Sequence, residues 1–146
     1  LRTGPSMNSH NHPMFGSIGA WLFSALAGIN PDPVRPGFEK IRIEPEVVRD
    51  LSWASASLES IRGLVSSSWT REGDRFRLEV VVPPGSEAEI HIPKLRRERL
   101  TVRESGKPVW VNDAYQAGVA GITGARQTER AVIVSAGAGR YVFESE

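Results

Sequence analysis

Cysteine is absent from the 146 residues, so neither a disulfide framework nor thiolate chemistry is open to this chain. That absence assigns no compartment. No apolar run approaches the roughly 20 residues that a membrane-spanning helix needs. An excess of one charge is missing too: 18 basic and 17 acidic residues leave a net +1. Such a balance argues against a nucleic-acid partner, which needs a concentrated basic face. The densest basic stretch, Lys94 to Arg99, is interrupted by Leu95 and Glu98 and reads as a solvated loop. Gly118 to Gly124 and Gly137-Ala138-Gly139 lack the Lys-Ser/Thr and the following helix of a phosphate loop, and no Gly-x-Ser-x-Gly occurs. No cofactor is expected. The opening Leu1-Arg2-Thr3 has neither an initiator Met nor a signal peptide, as expected of a chain cut from something larger.

What is present has ordinary globular proportions, 40% hydrophobic and 24% charged, enough for one cored domain with an appendage. Apolar residues at Phe15, Ile18, Leu22, Ala25, Leu26 and Ile29 follow helical spacing, with Trp21 bordering the same face. Gly28 and Asn30-Pro31 supply a stop. Pro31, Pro33 and Pro36 then make residues 31–37 a stiff linker and domain boundary.

After the linker the period changes to two. Phe38, Ile41 and Ile43 suggest an edge strand, and Ala54, Ala56 and Leu58 alternate with serines and Glu59. Val65, Ser67 and Trp69 run into a Glu72-Gly73-Asp74 turn, and Phe76, Leu78, Val80 and Val82 return opposite Arg75, Arg77 and Glu79. Further short strands are expected near Ala88–Ile92, Leu100–Arg103, Val109–Val111, Ala131–Ser135 and Arg140–Phe143. The expectation is a mainly β chain, an antiparallel β-sandwich over residues 38–146 preceded by one helix.

Glycoside hydrolysis usually needs two carboxylates flanking the scissile bond. Within residues 1–38 the only carboxylate is Asp32, in the proline-rich connector; Glu44, Glu46, Glu59 and Asp74 lie on strands and turns and read as solvated or ion-paired groups. No catalytic pair is expected. Ser9-His10-Asn11-His12 immediately precedes the helix. These side chains could serve as an amino-terminal cap. As a metal site they fall short, since zinc wants at least three protein ligands and only His91 remains elsewhere. The letters His-Asn-His lack the scaffold of a nuclease. Trp53 and Trp69, in alternating strands, are expected in the core, whereas Trp110 and Tyr115 are the better candidates for an exposed sugar-stacking platform.

The run Asn11-His12-Pro13-Met14-Phe15-Gly16-Ser17, leading through Trp21 to Leu26-Ala27-Gly28-Ile29, resembles the end of the catalytic domain in bacterial α-L-rhamnosidases of glycoside hydrolase family 78. Pro36-Gly37-Phe38-Glu39-Lys40-Ile41, Leu51-Ser52-Trp53, Ser67-Ser68-Trp69, Pro83-Pro84-Gly85-Ser86, Glu104-Ser105-Gly106-Lys107-Pro108 and Gly139-Arg140-Tyr141-Val142-Phe143 follow in that family's order. The resemblance implies that residues 1–30 are the carboxy-terminal end of an (α/α)6 catalytic barrel, with the helix as its last. The parent would release terminal α-L-rhamnose with inversion, using two Glu residues that precede the Asn-His segment and are therefore missing here. His12 corresponds to the histidine that hydrogen-bonds rhamnose hydroxyls, a role an imidazole fits because it donates and accepts in one plane. The implied partners are rhamnosides, through the parent, and the rest of the barrel.

Three expectations follow: a sandwich that braces the barrel and is inactive alone, a non-catalytic carbohydrate-binding sandwich, or an assembly module. In the last, the Phe15–Ile29 helix face, bereft of its barrel neighbours, folds back on the sandwich or self-associates.

Overall fold

Alternation of apolar and polar residues shapes most of the chain. In the computed structural model, residues 16–48 and 50–146 are described. Helix α1 (Gly16–Trp21) passes into a π-helical turn (Leu22–Leu26) and then into β1 (Ile29–Pro31) and β2 (Lys40–Ile43). A hairpin series follows: β3 (Trp53–Ser60), β4 (Gly63–Glu72) and β5 (Arg75–Val82). The chain continues through β6 (Glu87–Pro93), β7 (Val102–Glu104), β8 (Lys107–Val111), β9 (Ala114–Tyr115), β10 (Ile122–Gln127), β11 (Ala131–Ala136) and β12 (Gly139–Ser145).

The strands form two sheets, ordered β1-β2-β6-β11-β10 and β3-β4-β5-β12-β7-β8-β9. The expected sandwich is therefore present, antiparallel throughout except for β2 and β6, which run parallel. On β5 the side chains of Phe76, Leu78, Val80 and Val82 are buried and those of Arg75, Arg77 and Glu79 are exposed. They meet Ile41, Ile43, Ile90, Ile92, Val132 and Val134 in one core. Burying each large apolar side chain contributes about 1.5–3 kcal/mol, so this shared core holds the two sheets face to face.

Two expectations are corrected here. The helix does not reach Ile29. Gly28 adopts φ +74°, and a Cβ there would overlap the backbone of Glu44 and Pro45. The tight approach lets the Glu44 N–H donate to the Gly28 carbonyl at 2.9 Å, and Ile29 starts a strand opposite Ile43. For the same reason β2 is not an edge strand. The proline-rich turn folds β1 back along β2, whose other side is taken by β6. Within that turn, Asp32 Oδ1 accepts from the backbone N–H groups of Val34 and Arg35, which hold its carboxyl below the ordinary range.

Candidate functional site

The helical segment and the sandwich meet around Trp69. Its ring is buried in the sandwich core against Phe76, with ring centroids 5.9 Å apart, and its indole N–H donates to the Leu26 carbonyl at 2.7 Å. Asn30 adds a second tie, its side-chain amide donating to the carbonyls of Ser24 and Gly28. The bonds to Leu26 and Ser24 satisfy carbonyls that a helix end leaves free. Upstream of the ties, Ile18, Trp21, Leu22 and Phe23 remain 40–59% exposed. Trp21, Leu22 and Phe23 are consecutive, so the end of α1 and the start of the π-helical turn present an apolar face.

Beside this face lies an open groove of about 1460 Å³, lined by Trp21, Ser24 and Ala25 on one side and by Glu44, His91 and the Lys94–Glu98 loop among others. His91, on β6, points Nδ1 at Glu44 Oε1, 3.4 Å away, while its Nε2 is buried with no hydrogen-bond partner among the described residues. Burial pushes the His91 pKa down, against the opposing pull of the Glu44 and Glu89 carboxylates. Lys94 corrects the expectation of a wholly solvated loop. It is buried, its ammonium donating to Gln127 Oε1 at the end of β10 at 3.0 Å and its backbone N–H to the Arg130 carbonyl in the β10–β11 turn. The other loop cations are partly or fully exposed.

The carboxylates behave as ion-pair and hydrogen-bond partners. Glu89 accepts from Lys40 at 2.8 Å, which draws its pKa down, with burial opposing. Glu44, Glu46, Glu59 and Asp74 are exposed. Glu104, which sequence reasoning passed over, is buried and accepts from the Ser105 hydroxyl at 2.7 Å. Among the described residues no group of three or more His, Cys, Asp or Glu could hold a metal ion.

The aromatic expectations divide. Trp69 is in the core as expected, but Trp53 is 65% exposed, because it lies on the outer face of an edge strand. Trp110 is buried, and Tyr115 is half-buried with its hydroxyl donating to the Ile122 carbonyl, so these two do not form an open stacking platform. His10 and His12 lie outside the described residues.

Fold and contacts together define a two-sheet β-sandwich domain tied through a core tryptophan to the end of a helical segment. Residues 28–107 match the family described as the bacterial α-L-rhamnosidase C-terminal domain, and the chain belongs to that family. A curated α-L-rhamnosidase from Formosa agariphila is 43% identical over 96 residues, 66% of this chain and 10% of that protein. The structure of α-L-rhamnosidase from Dictyoglumus thermophilum superposes on all of this chain and 15% of its own, with TM-score 0.79 and 36% identity. The Streptomyces avermitilis α-L-rhamnosidase complexed with L-rhamnose covers 97% of this chain with TM-score 0.73 and 29% identity, over 12% of its own length. The chain thus spans only about a tenth to a seventh of these proteins.

Proposed function

We propose that this chain is the carboxy-terminal part of an α-L-rhamnosidase, a hydrolase releasing terminal α-L-rhamnose with inversion, and that its sandwich braces the catalytic barrel. The observation that carries this reading is the family match over residues 28–107, together with the superposition of the whole chain on a rhamnosidase. Residues 1–30 close the barrel and residues 38–146 form the sandwich, joined by residues 31–37, with β1 as the strand that crosses the boundary. The exposed Ile18, Trp21, Leu22 and Phe23 seat against the rest of the barrel. Their placement depends on the bond from Trp69 to Leu26.

Inversion needs an acid and a base on opposite faces of the sugar. On this reading the longer enzyme supplies both, and this chain supplies His12, whose imidazole hydrogen-bonds rhamnose hydroxyls. The test is hydrolysis of an aryl α-L-rhamnoside by the longer enzyme and by its His12→Ala variant. A lost hydrogen bond to a neutral hydroxyl is worth about 0.5–1.5 kcal/mol, so KM should rise up to roughly tenfold. An unchanged KM would remove His12 from the sugar site.

A further inference from the structure

A sheet edge exposes a row of unpaired N–H and C=O groups, and folded proteins blunt such edges with short strands, proline, charge or bulges. Three of the four edges here are blunted. Strand β1 has three residues and ends in Pro31; β9 has two; β10 carries a register shift at Ile122–Gly124 and places Arg126 on its length. Strand β3 is the exception. It runs eight residues, Trp53-Ala-Ser-Ala-Ser-Leu-Glu-Ser60, with no proline and a single charge, Glu59, and pairs with β4 without a register shift. Among the described residues nothing pairs with its other side.

The direction of its free backbone groups follows from one hydrogen bond. The Arg71 N–H donates to the Ser52 carbonyl at 2.7 Å, so Ser52 and Arg71 are a hydrogen-bonded pair. Antiparallel pairs alternate. Ala54, Ala56, Leu58 and Ser60 therefore turn their backbone groups toward β4, and Trp53, Ser55, Ser57 and Glu59 turn theirs outward.

We propose that β3 is a self-association edge, pairing antiparallel with β3 of a second copy about a two-fold axis at Ala56. This register matches every outward-facing residue of both copies. Trp53 stands opposite Glu59 of the second copy and Ser55 opposite Ser57, while Ala54 meets Leu58 on the other face. A register moved by two residues leaves some of these groups unmatched, and one moved by a single residue sets outward groups against inward ones. The pairing is also electrostatically permissive. The strand's only charge, Glu59, faces an indole and not another carboxylate. Trp53, 65% exposed on the outer face of the strand, is thereby brought against the second copy. Such a contact is self-complementary and closes as a dimer.

The proposal does not depend on the rhamnosidase reading and is tested on the 146-residue chain by sedimentation velocity across a concentration series. Wild type should show twice the chain mass. Ser57→Lys and Ser55→Lys, both at exposed positions, should weaken dimerisation at least tenfold with an unchanged circular dichroism spectrum, whereas Phe23→Glu on the helix face should leave it intact. Amide hydrogen exchange at Ser55, Ser57 and Glu59 should be slow in wild type and should accelerate on dilution, a readout that holds even if a lysine variant misfolds. A monomer at every concentration, or a dimer broken by Phe23→Glu and indifferent to Ser57→Lys, would overturn the proposal.

Discussion

The indole N–H of Trp69 donates to the carbonyl of Leu26 at 2.7 Å, joining the middle of strand β4 to the last turn of the helical segment. One side chain thus belongs to the sandwich core and to the helix end at once. Trp69→Phe keeps most of the packing but strands the Leu26 carbonyl, at a cost of about 1–2 kcal/mol. Urea unfolding followed by circular dichroism should report that loss. Limited proteolysis should cut between residues 16 and 27 sooner than in wild type, with the sandwich itself still resistant.

Gly28 is the second place where helix and sandwich are joined. Its φ of +74° and its approach to Glu44 and Pro45 leave no room for a Cβ. Gly28→Ala should destabilise by at least about 2 kcal/mol, combining left-handed strain with displacement of β2. An urea midpoint within error of wild type would show that β1 and β2 can separate freely.

His91 makes stability depend on pH. Its folded pKa lies below the ordinary value of 6.5 because burial disfavours the imidazolium. The unfolded state therefore binds more protons in the window just below that value, and its contribution is complete above it. Stability should fall as pH drops through the ordinary imidazole value of 6.5 and below. His91→Gln should flatten the slope. The carboxylates Asp32 and Glu89, whose folded pKa values are lowered, should contribute their own losses at more acid pH.

The strands with one face buried were readable from alternation alone, as Phe76, Leu78, Val80 and Val82 demonstrate. The segment around Gly28 was not. Its apolar spacing continues a helix through Ile29, and only the distant pairing of Ile29 with Ile43 turns it into a strand. Trp53 and Trp69 also look alike in sequence, each in an alternating run. They differ because β3 ends its sheet and β4 lies inside it, an order that local periodicity does not encode. The sandwich was thus legible as a class, while its parallel β2–β6 pair and its edges arise from long-range register. At the candidate site, residue placement alone speaks against an acid–base pair, whereas the role of His12 rests on resemblance to the family and on no local feature of the sequence.

Completing a rhamnosidase without performing its chemistry is the role proposed for this chain. Its most direct test compares hydrolysis of an aryl α-L-rhamnoside by the purified 146-residue chain with that by a longer enzyme carrying it at the carboxy end. The account predicts turnover by the longer enzyme and none by the chain above a His12→Ala control. Turnover by the chain well above that control would contradict it.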